Sequence, residues 1–138
     1  GNKVLDAVLT SKSLYCQNNG IGLTCVADGS VLNFMEDMDI SALFGNILDN
    51  AIESVEKLRE QEKRLIHLSV AKQKNFLRIR CENYCEESLQ FENGIPVTTK
   101  KDRRFHGFGM KSIKSTAAKY GGSVTKNWFE LRILIPLS

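Results

Sequence analysis

Residues 106–110 read His-Gly-Phe-Gly-Met, and a stretch with helical spacing follows at once, through Met110, Ile113 and Ala117 to Tyr120. The first amides of a helix have no partner within it and carry the positive end of its dipole. Glycine just ahead of them lets an anion reach the backbone with no Cβ in the way. Gly107 and Gly109 would therefore suit a phosphate, or they make nothing more than a tight turn. A second set lies far upstream: Asn46, Asn50 and Glu53, spaced by four and three. On a helix these three project within roughly 60° of one another. Asparagine costs a helix interior about half a kcal/mol relative to alanine. Two of them beside an apolar stripe face either a polar cleft or a neighbouring loop that they hydrogen-bond. In a cleft, a carboxamide oxygen can ligate Mg²⁺, a hard cation that keeps several waters and bridges to phosphates.

Just before the glycines stands Thr98-Thr99-Lys100-Lys101-Asp102-Arg103-Arg104. These residues are either a solvated charged loop or a cationic flap over whatever the glycines hold. No aromatic platform is interleaved with them, and a net charge of +3 is low for a nucleic-acid binder, so nucleic acid is not expected. His106 lies at the lip of the same loop, with or without a chemical task. His67, in Leu-Ile-His-Leu-Ser-Val, reads as a strand residue. It lacks the exposed helical position and acidic neighbour that a phosphoacceptor histidine needs. Cys16, Cys25, Cys81 and Cys85 form no CxxC pair, and the two histidines are not spaced to complete a zinc site. They read as reduced thiols of a cytosolic protein.

The chain that must position these groups has 138 residues, 42% hydrophobic and 25% charged, which suits one ordinary domain with a real core. It has no apolar run of the roughly 18–20 residues that would span a bilayer, no repeat and no low-complexity segment. Val4, Leu5, Val8 and Leu9 have helical spacing, ending at Asn19-Gly20, and Ile-Gly-Leu-Thr-Cys-Val-Ala then alternates as a strand up to Asp28-Gly29. Ile40, Leu43, Phe44, Ile47, Leu48, Ala51, Ile52 and Val55 predict the strongest helix, with Asp39 as its N-cap and a charged tail running into solvent. Leu65–Ala71 and Phe76–Asn83 read as a hairpin, and residues 84–105 as a long, functional or mobile loop. A helix over Met110–Tyr120, stopped by Gly121-Gly122, and two closing strands, Ser-Val-Thr-Lys (123–126) and Trp-Phe-Glu-Leu-Arg-Ile-Leu-Ile-Pro (128–136), complete the order. The expected fold is an α/β two-layer sandwich, with about five strands in a mixed sheet and three helices on one face.

Leu-Phe-Gly-Asn-Ile-Leu-Asp-Asn-Ala-Ile-Glu-Ser and His-Gly-Phe-Gly-Met-Lys-Ser-Ile-Lys-Ser, in that order, resemble the N box and the second glycine box of the GHKL, or Bergerat-fold, ATP-binding domains. Sensor histidine kinases, gyrases, heat-shock chaperones and mismatch-repair ATPases share that domain. The run GN-x-x-DNAIE, the TTK and the HG-x-G are similar above all to kinases of the peptide-quorum-sensing (Agr) and citrate-sensing type, and the opening GNKVLDAVLTSK resembles their segment after the phosphoacceptor helices. The resemblance implies that Asn50 ligates Mg²⁺ and that Gly107, Phe108, Gly109 and Met110 hold the phosphates of ATP beside His106. Residues 84–109 become the adenine-site loop and the ATP lid, with Thr98, Thr99 and Lys100 folding over the phosphates. Asn46 stands where water-using members keep a glutamate base. A carboxamide takes no proton from water at neutral pH, which suits a kinase whose nucleophile is a histidine elsewhere.

Two departures stand out. The first glycine box, normally an aspartate and two glycines, is replaced by Cys-Glu-Asn-Tyr-Cys-Glu-Glu-Ser, where Asn83 is the best match for the adenine-reading aspartate and Tyr84 an alternative neighbour of the base. Glu53 occupies a position where many kinases place a phosphate-touching lysine. Weak nucleotide binding is the expectation. The resemblance implies the ATP-binding half of a two-component histidine kinase, the cytoplasmic domain of a bacterial membrane-bound receptor. It would work with the dimerisation helices that carry the phosphoacceptor, and with a response regulator through the full-length kinase. Residues 1–138 would form that single domain without the sensor and phosphoacceptor domains, monomeric in isolation and unable to phosphorylate itself. The alternatives are a non-catalytic interaction module on the same fold and a serine kinase of the anti-sigma type.

Overall fold

The computed structural model describes residues 1–84, 91–92, 95–96 and 100–137, and for 91–92, 95–96 and 100–107 the backbone alone. The chain runs α1 (Lys3–Asn18), β1 (Gly22–Ala27), α2 (Asp37–Glu56), β2 (Leu65–Gln73), β3 (Phe76–Asn83), β4 (Phe91–Glu92), β5 (Ile95–Pro96), α3 (Lys100–Lys119), β6 (Ser123–Lys126) and β7 (Glu130–Pro136). Five strands form one mixed sheet in the order β1-β2-β3-β7-β6; β1 is parallel to β2 and the other pairs are antiparallel. The short pair β4–β5 stands apart, within the stretch expected to be irregular.

Period-two alternation in the three central strands explains the two layers. Ile66, Leu68 and Val70, then Leu77, Ile79 and Cys81, then Leu131, Ile133 and Ile135 are all buried on one face. The three helices cover that face. The eight apolar residues that predicted α2 are all buried against it, together with Leu5 and Cys16 of α1 and Ile113 and Ala117 of α3. The expected sandwich is the observed one.

Four local expectations are corrected. Asp39 does not cap α2. It lies inside the first turn, where a carboxylate complements the helix dipole, and its oxygen accepts from Lys119 Nζ at 2.7 Å and from the Tyr120 hydroxyl. The helix stops at Glu56 instead of carrying its tail into solvent, because Leu58 turns back into the core and Arg64 donates to its carbonyl. β7 begins at Glu130, not at Trp128, which belongs to the preceding turn. The largest difference is α3. It starts at Lys100, ten residues before the expected Met110, and runs through Gly107 and Gly109. Lysine and arginine are good helix formers, and two glycines at about 1 kcal/mol each do not break a helix anchored downstream by fully buried Ile113 and Ala117.

Candidate functional site

The two sets of residues that opened the sequence reading face each other. Helix α2 turns Asn46 and Asn50 toward α3; Asn50 is 8% exposed, and its Nδ2 donates to Met110 Sδ at 3.1 Å. A Cβ placed on Gly109 would stand 3.9 Å from Asn46 Oδ1, an ordinary contact distance. Gly109 and Met110 therefore lie against the asparagines, while Phe108, one residue earlier on the helix, is 85% exposed.

On its other side Asn50 lines a hollow between α2, the end of β3 and the β6–β7 turn, an empty volume of about 300 Å³, part of it open to solvent. Ile47, Ala51, Cys81 and Leu131 supply apolar surface, and Asn50, Ser54, Asn83, Lys126 and Asn127 supply polar groups. Local bonds hold these walls. Ser54 Oγ donates to the carbonyl of Asn50 at 3.1 Å, and the amide of Asn83 donates to the carbonyl of Phe129 at 2.9 Å. In the turn, Asn127 Oδ1 accepts from the amides of Phe129 and Glu130 at 3.0 and 2.8 Å. Burial pushes the Cys81 thiol up to about 12, so Cys81 is an apolar lining group at neutral pH and not a nucleophile.

Residues 35–136 match the GHKL domain family. The chain belongs to it. The GHKL fold is also that of the catalytic domain of histidine kinase ThkA, solved in nucleotide-free forms. One such structure superimposes with a TM-score of 0.66 at 16% identity over 97% of this chain and 92% of that one, and another with 0.64 at 16% identity over 97% and 91%. Acinetobacter baumannii histidine kinase AdeS matches with a TM-score of 0.62 at 12% identity; the match takes in 98% of this chain but 64% of AdeS. No curated relative matches the sequence.

In this GHKL domain Glu53 stands beside Asn50 on α2. Burial raises its carboxyl pKa, the nearby Asp49 raises it further, and Lys57 and Lys126 oppose both. Lys126 is shifted down, first by desolvation, while the Glu53 carboxylate helps to hold its charge. The carboxylate that departs from the lysine of many GHKL kinases thus has a lysine near it, supplied by β6. Tyr84 is half-exposed beside the ammonium of Lys63, which lies 5.7 Å from its ring centre.

The remaining predicted residues divide in two. Thr98 and Thr99 lie outside the described residues. Lys100, His106 and Gly107 have only their backbone described, within α3. The amides of Gly107, Phe108, Gly109 and Met110 sit in the interior of a helix, so the helix terminus that could face an anion is at Lys100 and not at Met110. Sequence reasoning missed Lys126, Asn127 and Trp128. All three lie in or beside a short turn between two strands, and their only signal was an indole at the start of a predicted strand, which no spacing rule connects to Asn50. Among the described residues Cys16, Cys25 and Cys81 are free thiols, and no helix is long and apolar enough to cross a membrane.

Proposed function

We propose that this GHKL domain is the ATP-binding catalytic domain of a two-component sensor histidine kinase of the peptide-quorum-sensing or citrate-sensing type, the cytoplasmic part of a membrane-bound bacterial receptor. It presents Mg-ATP for phosphoryl transfer to a histidine on separate dimerisation helices, and the full-length kinase then serves a response regulator. Residues 1–138 are that one domain, with 84–109 as adenine-site loop and lid.

One observation carries the reading. Asn50 at once lines the hollow that also holds Asn83 and touches Met110 of α3, as a residue between base and phosphates must. In this reading Asn83 reads the adenine edge and the carboxamide of Asn50 ligates Mg²⁺. Among the described residues no cluster of three or more His, Cys, Asp or Glu could hold a metal unaided. One carboxamide oxygen fits a Mg²⁺ whose other ligands are water and phosphate. The bound ion would neutralise phosphate charge; the chain's own part is to position. Asn46 keeps the site free of a base. Thr98, Thr99, Lys100, His106 and residues 107–110 close over the phosphates, which requires α3 to open ahead of Met110.

Titration calorimetry with Mg-ATP tests this. The wild type should give a weak, saturable isotherm, and Asn50→Ala should bind roughly tenfold or more weakly, the loss of one charge-assisted contact. Equally flat traces for both would favour the second reading, a non-catalytic interaction module. The helical glycines, Asn83 in place of an aspartate and Glu53 support that alternative.

A further inference from the structure

The wall of the hollow opposite α2 carries a group that neither the N box nor the glycines supply. Trp128, the only tryptophan in the chain, lines it from the β6–β7 turn. That turn is tightly held. Asn127 Oδ1 ties down the two amides that follow Trp128, the amide of Asn127 donates to the carbonyl of Glu130 at 2.9 Å, and the amide of Asn83 reaches across to Phe129. The same bonds fix the backbone on either side of Trp128 and fasten it to the end of β3, where Asn83 sits. Trp128 and Asn83 thus share one rim of the hollow, over an apolar floor of Ile47, Ala51 and Leu131. Apolar surface with a few convergent polar groups is the usual make-up of a small-molecule site.

We propose that Trp128 is a specificity-determining residue of this site and stacks on the purine base of the bound nucleotide, an inference that rests on the nucleotide-binding reading above. A carboxamide at Asn83 offers one uncharged, directional contact, and the segment after it, Tyr-Cys-Glu-Glu-Ser, brings no glycine to bring the backbone close to the base. Affinity for the base must then come from contact area. An indole face supplies a large area of it. Base–aromatic stacking of this kind changes affinity by roughly ten- to hundredfold.

Because Trp128 is the sole tryptophan, the intact chain reports on itself. Mg-ATP and magnesium tripolyphosphate, which has the phosphates without the base, are titrated in parallel by calorimetry and by tryptophan fluorescence. Mg-ATP should change the indole emission in step with the heat, and tripolyphosphate should leave it unchanged. Trp128→Leu should lose about tenfold in ATP affinity and Trp128→Phe should regain most of it, with tripolyphosphate binding equal in all three. Binding heat with unaltered emission, or the same ATP affinity in Trp128→Leu, overturns the stacking and leaves nucleotide binding standing. Equal emission changes with both ligands also overturn it. No heat with either ligand removes the nucleotide reading along with it. If Trp128→Leu fails to fold by circular dichroism, the wild-type emission and the Trp128→Phe variant decide.

Discussion

Asn46 and Asn50 are the same residue type on one helix face, yet their surroundings give them different work. Asn50 is buried and engaged with a thioether; Asn46 is half-buried, with Gly109 just opposite. A carboxamide is a donor and an acceptor but has no useful basicity, so an attacking water at Asn46 would keep its proton. The isolated chain should therefore release phosphate from Mg-ATP at no more than the rate of a no-enzyme control, read by a coupled phosphate assay. Robust release would remove the argument that a carboxamide here marks a kinase.

Helix α3 is the element in which sequence and structure differ most, and it carries a conflict between two demands. Continuous helix from Lys100 to Lys119 packs Ile113 and Ala117 into the core, but it spends the amides that a phosphate would need. Gly109 is where the two demands meet. The space beside it admits a methyl group, since the nearest atom to a Cβ would be Asn46 Oδ1 at 3.9 Å. Gly109→Ala should thus stabilise the helical form, by up to about 1 kcal/mol in urea unfolding. If the site works by opening α3 ahead of Met110, the same variant should bind Mg-ATP several-fold more weakly by calorimetry. A variant that is both more stable and equally tight would mean that phosphates are held without unwinding.

For the molecule as a whole, the helical layer is closed by a charged clasp between the start of α2 and the end of α3. Asp39 accepts from Lys119 and Tyr120, Glu36 adds a second carboxylate at 3.3 Å from Lys119, and Phe34 meets Tyr120 edge-on at 5.7 Å. The bonds from Lys119 and Tyr120 hold the Asp39 carboxyl below its ordinary value of 3.8, and Asp39 and Glu36 push Lys119 up to about 12. A carboxyl with a lowered value stabilises the fold above 3.8 and loses that effect as acid protonates it. A lysine with a raised value stabilises below 10.5 and loses the effect as base approaches 12. The melting temperature of Asp39→Asn should lie below that of the wild type across the plateau between those limits, and the two curves should converge toward acid and toward base. Salt should narrow the gap, since the clasp lies at the surface. A difference that persists unchanged at low pH would assign the loss to packing instead.

The apolar spacing of α2, the alternation of β2, β3 and β7 and the glycine stops were legible in the chain because each is local. A helix or strand that buries one face must repeat its apolar residues at the element's own period, and that period survives in one dimension. The same arithmetic placed Asn46 and Asn50 on one helix face. Three things lay beyond it. That Asn50 would meet Met110, that β6 would bring a lysine toward Glu53, and that the β6–β7 turn would set Trp128 on the rim with Asn83 all depend on how the sheet orders its strands. Strand order follows from burying all the apolar faces together, an energy shared by the whole core and written at no single position. The start of α3 escaped for a related reason. Glycine marks where a helix is cheap to break, but whether it does break depends on what holds the helix further along, and here that is Ile113 and Ala117 in a core assembled by the rest of the chain.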